Sequence, residues 1–152
     1  MKKPVTIYIL GFLLLFLCIN GLTGGLLLML KPDGSLLAMQ SDWLSNSPFR
    51  TFTFPGLLLL FFNGVLPGIT FLGMVTRKAF PFMQKTNIYK DKFWAWSWSL
   101  YCGVITISWI IIQQLLTNYF ILQPIVASLG LLIVILTLIP SVQKYYQVRT
   151  SD

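Results

Sequence analysis

Four long stretches of the chain are almost wholly apolar, and the polar positions are confined to the gaps between them. The first runs from about Val5 to Leu30 and the second from Pro55 to Val75; the third runs from Phe93 to about Leu116 and the fourth from about Ile121 to Ile139. Each is near or above the roughly 20 residues that an α-helix needs to cross a hydrocarbon layer. Lipid leaves only helices and closed barrels as ways to satisfy every backbone group, and none of the four stretches alternates polar with apolar as a barrel strand does. The pattern predicts an all-α membrane protein, a single membrane domain over residues 1–152. It would be a four-transmembrane-helix bundle with a short interfacial helix in the first outer loop.

Composition agrees with the pattern. Hydrophobic residues make up 56% of the chain and charged residues 10%, against about 25% charged in a soluble domain. Too few charges remain to face water over a whole surface. The net charge of +7 would suit nucleic acid if the basic residues formed a stripe. They flank the apolar runs instead, so membrane-flanking charge accounts for the excess and no nucleic-acid partner is expected.

Lys2 and Lys3 imitate the start of a signal peptide, but the first run far exceeds a 7–15 residue h-region and no A-x-A site follows it. A retained helix is the expectation. Lys2, Lys3, Arg77, Lys78, Lys85, Lys90, Lys92, Lys144 and Arg149 lie at the N-terminus, in the second gap and in the tail. Those are nine of the eleven basic residues; Lys31 and Arg50 are the other two. The positive-inside rule then puts both termini in the cytoplasm, in a multi-pass cytoplasmic (inner) membrane protein, with residues 31–54 outside. The short link near Asn118 makes the third and fourth helices antiparallel neighbours. Trp94, Trp96 and Trp98, with Tyr145 and Tyr146, suit the headgroup zone and read as interface anchors.

The outer segment "DGSLLAMQSDWLSNSPF", residues 33–49, has a pattern of its own. Asp33 or Ser35 can cap a short helix, with Leu36, Met39, Trp43 and Leu44 on one face. "NSP" should stop that helix, Thr53 should cap the second long helix and Pro55 should fall in its first turn. Three roles are open for this segment: a flat cover on the bundle, a lid over a cavity with Asp33, Asp42 and Arg50 at its mouth, or a docking surface.

No Asp, Glu, Lys, Arg or His lies clearly inside any run, and the chain has no Glu and no His. Proton relays and acid–base catalysis lean on those groups. No catalytic residue, metal or cofactor is expected, although Asp33 and Asp42 keep an outer-surface enzyme site in view. Cys18 and Cys102 sit in apolar runs without CxxC spacing and read as small buried residues. Uncharged polar groups do occur. Asn20 and Asn63 fall at matching depth, roughly 12–15 Å below the outer ends of their helices at 1.5 Å per residue. Gln113, Gln114 and Gln123 lie nearer that end. Together these five can line a pocket, or they can join helices by hydrogen bonds worth about 0.6 kcal/mol each. Gly21, Gly24, Gly25, Gly64 and Gly68 favour close helix approach, and Pro67 frees a carbonyl near Asn63.

The segments "PDGSLLAM", "WLSNSPF" and "FPGLLLLFFNG" resemble a pattern in small, uncharacterised four-helix bacterial membrane proteins, as do "WIIIQQLL" and "LQPIVASLGLLIVILTLIP". The resemblance spans most of the chain. It implies a prokaryotic cytoplasmic-membrane setting and brings no assigned activity; a looser likeness to DoxX-like proteins rests on helix count. The sequence points first to a non-catalytic binding or accessory role toward membrane lipids, a small apolar ligand, a membrane-protein partner or a homo-oligomer. The alternative is a small oligomeric transporter or channel, and the third reading is a membrane enzyme using Asp33 or Asp42.

Overall fold

A computed structural model describes residues 3–148. Lys2 and Arg149, which enter the charge count above, lie outside the described residues. Three helices are long and apolar enough to cross a membrane: Val5–Leu30, Thr53–Thr76 and Trp94–Leu116. A fourth apolar helix, Leu122–Leu138, has 17 residues. Two short helices, Pro81–Lys85 and Pro140–Tyr145, complete the set. No strand forms among the described residues beyond a lone antiparallel bridge between Lys92 and Gln147.

Prolines set several of the boundaries. The first helix stops at Leu30 because Lys31 precedes Pro32 and is kept out of the α region, at φ −127° and ψ 88°. The fourth stops at Leu138 for the same reason: Ile139 precedes Pro140 and has ψ 131°. It therefore ends one residue short of the expected Ile139. The second helix starts at Thr53, two residues before the expected Pro55. Phe52 is the residue that precedes it, and Thr53 caps nothing. Its middle opens into a π-turn over Leu60–Val65. Pro67 has no N–H to give to Asn63, and one wide turn is how the helix continues past that gap.

The helices approach closely at glycines. A Cβ on Gly25 would lie 2.7 Å from the Gly56 carbonyl oxygen, and one on Gly64 would lie 2.9 Å from the Leu22 nitrogen. Gly21 sits directly on the Asn63 backbone. The first and second helices thus pack backbone to backbone, as small residues permit. A Cβ on Gly103 would lie 2.8 Å from the Gly130 oxygen, and the reverse distance is 3.0 Å. The third and fourth helices run antiparallel as expected: Trp96 meets Thr137 and Gln123 meets Thr117.

Polarity is inverted relative to a water-soluble protein. Phe12, Leu72, Ile111 and Leu115 face outward, while Thr70, Ser97, Ser99, Thr106, Gln123 and Thr137 are fully enclosed. Most of the inward hydroxyls return to their own helices, while Ser97 donates to the Asn87 side-chain oxygen at 2.6 Å. Thr70, Thr106 and Thr137 donate to the carbonyls of Leu66, Cys102 and Ile133, each at 2.7–2.8 Å. A buried hydroxyl satisfied in this way adds little cost to an apolar interior.

The tryptophan-rich end departs from expectation. Trp94 and Trp96 are buried and Trp98 is half-buried. Each indole N–H donates to a carbonyl: Lys78 at 3.0 Å, Thr137 at 2.8 Å and Met83 at 3.1 Å. They pack into the protein, Trp94 and Trp98 fastening the 77–93 segment and Trp96 the end of the fourth helix, where a lipid-interface role was expected. Tyr146 is likewise buried and Tyr145 half-buried; the Arg77 guanidinium lies 4.1 Å and 5.1 Å from the Tyr145 and Tyr146 ring centres.

Candidate functional site

At the opposite end, residues 31–52 fold over the helices. Asp33 accepts from the Ser35 amide at 3.1 Å and from the Ser35 hydroxyl at 2.8 Å. Those two bonds hold the Asp33 carboxyl below its usual pKa, the backbone bond being the larger cause. Gly34 adopts φ +81°, and a Cβ there would press on the Phe52 ring at 2.9 Å; glycine is required at this turn. The Phe52 amide donates to the Pro32 carbonyl at 2.9 Å and closes the base of the loop.

The expected interfacial helix is split. Ser35–Leu37 and Ser41–Leu44 form separate 3₁₀ turns, and Ala38 between them turns left-handed at φ 52°. The Met39 amide, which a continuing helix would direct to Ser35, donates instead to Gly34. This break aims Met39 and Leu44 downward. Leu44 and Phe52 are buried against Leu28 of the first helix. Ser47 fixes the return: its hydroxyl donates to Leu44 O at 2.9 Å and accepts from the Phe49 amide at 3.2 Å.

Beneath this cover lies a cavity of about 250 Å³. Met39, Leu44, Phe49 and Phe52 form its roof, and Leu58 and Phe62 of the second helix one wall. Trp109, Gln113 and Leu116 of the third helix form another, and Phe120 closes the side. The lining is almost wholly apolar. The cover is latched by Trp43, whose ring stacks on Phe120 with centroids 5.3 Å apart.

The residues singled out from the sequence are dispersed. Gln113 lines the cavity. Gln123 is buried beside it, donating to Thr117 Oγ1 at 3.3 Å and accepting from the Phe120 amide at 3.4 Å; it fixes the turn between the third and fourth helices. Gln114 is exposed. Asp33, Asp42 and Arg50 are all exposed, and none lines the cavity. The carboxylates do not converge on it, so a mouth made by those three is not what the fold builds.

Asn20 and Asn63 share a depth but not a partner. Asn20 is exposed and its amide donates to Phe16 O of its own helix at 2.8 Å. Asn63 is buried, 2.7 Å from Thr106 Oγ1 through its side-chain oxygen, with Nδ2 unpaired. The Thr106 hydroxyl has one proton, and the Cys102 carbonyl stands 2.8 Å away to take it. With the Asn63 amide turned over, Nδ2 donates to Thr106 Oγ1 and Thr106 donates to Cys102. Asn63 is then helix glue, and its side-chain oxygen is the atom left without a partner. Cys18 and Cys102 are free thiols, with Cys102 Sγ 3.6 Å from Thr70 Oγ1.

Trp109 has no such remedy. Its indole Nε1 is buried without a hydrogen-bond partner, and an indole nitrogen only donates. No family model, curated protein or solved structure matches this chain. The site therefore has to be read from its own chemistry: an apolar chamber, a latched cover and one unspent donor in the wall. The sequence holds one cue to Trp109. It lies within "ISWIII", far from the aromatic cluster at residues 93–98.

Proposed function

We propose that the protein is a four-span, multi-pass protein of a bacterial cytoplasmic membrane that binds a small apolar molecule without transforming it. The fourth span would be Leu122–Leu138, whose 17 residues give about 26 Å of helix, close to the ~27–30 Å of hydrocarbon. Lys3, Arg77, Lys78, Lys85, Lys90, Lys92 and Lys144 gather at the tryptophan-rich end, while Lys31 and Arg50 flank the covered end. That asymmetry supports cytoplasmic termini and an outer cover whose short 3₁₀ turns lie at the membrane surface.

The observation that carries the binding role is the 250 Å³ apolar cavity under residues 31–52. Its apolar walls offer a small apolar molecule contacts that water cannot match. The transporter reading has less support. Among the described residues, Thr106, Gln123 and Thr137 spend their polar groups within or between helices, and Asn63 spends one of its two on Thr106.

The test is recovery of a copurifying molecule. Protein extracted in mild detergent should release an apolar compound detectable by mass spectrometry. Leu58→Trp, which fills the chamber, should release much less. Equal recovery from both would refute the binding role. Membrane-impermeant thiol labelling of single cysteines placed at Ser35, Asn118 and Thr86 tests the threading: the first two should label from outside and the third only after lysis.

A further inference from the structure

Trp94, Trp96 and Trp98 each give their indole N–H to a protein carbonyl. Trp109 is 91% buried, lines the cavity and gives its own to nothing. A buried, unpaired donor is costly, so its persistence calls for a partner from outside the chain. We infer that the cavity binds a hydrocarbon-chain molecule carrying a neutral carbonyl, whose oxygen accepts from Trp109 Nε1 once the indole turns that almost fully covered nitrogen toward the chamber. This rests on the binding role proposed above and names its ligand class.

Water fits the position poorly. A buried water needs two to four polar partners. Ser47 Oγ is committed to Leu44 O and the Phe49 amide, and Thr117 Oγ1 to Gln113 O and Gln123 Nε2, which leaves a water only Trp109 and the Gln113 carboxamide, the bare minimum. An anionic head fits no better, because no charged side chain among the described residues lines the chamber and an unpaired buried charge is far costlier than a carbonyl. A hydroxyl would bring a second donor, for which only the Gln113 side-chain oxygen is left; a carbonyl accepts and asks for nothing. Gln113 stands four residues beyond Trp109, so both occupy one stripe of the third helix. Its carboxamide can donate to a second oxygen where the carbonyl belongs to an ester. Ile112, also a wall residue, is about half exposed on the outer flank of that helix, which gives the chamber a side facing hydrocarbon.

The test uses the full chain in micelles, with tryptophan ¹⁵N-labelled at the indole nitrogen, titrated with 2-nonanone and separately with nonane. Trp109→Phe identifies the Trp109 signal by its loss, and the four remaining indole signals report whether that variant folds. The ketone should move the Trp109 N–H downfield and leave Trp94, Trp96 and Trp98 in place. Followed through the Leu58 and Ile112 methyls, Trp109→Phe should bind the ketone about tenfold more weakly and nonane equally well. If ketone and nonane bind alike and Trp109→Phe changes neither, the carbonyl assignment falls while an apolar ligand stands. If neither probe moves any cavity signal, both fall.

Discussion

Trp43 and Phe120 stack at 5.3 Å with their rings 19° from parallel, and this pair ties the covering loop to the turn between the third and fourth helices. Trp43 belongs to the 3₁₀ turn Ser41–Leu44, and Phe120 is a wall of the cavity. Aromatic pairs of this geometry contribute about 0.5–1.5 kcal/mol beyond the area they bury. Trp43→Ala should therefore unlatch the cover without unfolding the helices. Hydrogen exchange at the Trp43 and Ser45 amides, which bond to Gln40 and Asp42, should quicken up to about tenfold. Exchange at Gly103 and Thr106 should stay as it is, and Trp43→Phe should restore most of the protection. Unchanged exchange in the loop would show that the stack does not hold it.

Asn63 and Thr106 offer a sharper energetic test, because each is buried and each depends on the other. Thr106→Val removes the group that meets the Asn63 amide and strands a polar side chain, at a cost of about 1–3 kcal/mol. Asn63→Leu leaves Thr106 its bond to Cys102 and should cost less. The double variant should recover part of the Thr106→Val loss, since no stranded amide remains. Reversible unfolding in mixed detergent and SDS would measure all three. Additive losses would mean the pair is uncoupled.

The helices were legible from hydropathy because a long apolar run has one way to satisfy its backbone in lipid. Boundaries moved by one or two residues: at Leu138 because Pro140 acts on Ile139, and at Thr53 because the helix begins ahead of Pro55. The site was less legible. Matching depths placed Asn20 and Asn63 at one level, but depth along an axis says nothing of direction around it, and the two side chains have separate partners. Trp94 and Trp96 were misread because a headgroup zone and a protein interior with free carbonyls both suit an indole. The chamber depends on Ala38 turning left-handed and on Phe52 returning to Pro32, tertiary choices with no period to betray them. Asp33, Asp42 and Arg50 drew notice as the only charges of the loop between Pro32 and Thr53, yet its apolar residues build the roof.

The contact of Gly21 with the Asn63 backbone makes a prediction about packing. Gly21→Val forces the first and second helices apart where backbone meets backbone, and overpacking of this kind costs about 1–3 kcal/mol or more. Gly24→Ala is the control: its Cβ would meet only the flexible Leu59 Cδ2, at 3.2 Å. Gly21→Val should unfold at clearly lower SDS fraction than Gly24→Ala. Equal midpoints would contradict the close crossing.

Arg77 ends the second helix at φ 52° while its guanidinium covers Tyr145 and Tyr146 and donates to Tyr145 O at 2.9 Å. Two opposing effects can be separated here. Arg77→Ala loses the side-chain contacts and keeps the left-handed strain; Arg77→Gly loses the contacts and relieves the strain. Both should be less stable than the parent, with Gly ahead of Ala by about 1 kcal/mol. The order of the two unfolding midpoints decides it, and Ala above Gly would show that the backbone at this cap is not held left-handed.

Asp33 gives the covered end a dependence on acid. Its two bonds from Ser35 favour the charged form and lower its pKa below the ordinary 3.8. A carboxyl depressed on folding stabilises the turn at every pH above its unfolded value, and that support is lost as pH falls through the folded value. Between pH 5 and 8 the cover should be insensitive to pH through this group. Followed by NMR in acid, the Ser35 amide should move upfield as its acceptor is protonated, with a midpoint below 3.8. Asp33→Asn keeps an oxygen for the turn but has no proton to gain, so the same amide should stop titrating. A midpoint at or above 3.8 in the parent would mean that Ser35 does not hold the charged carboxylate, and the anchoring of the cover at Pro32–Ser35 would then need another cause.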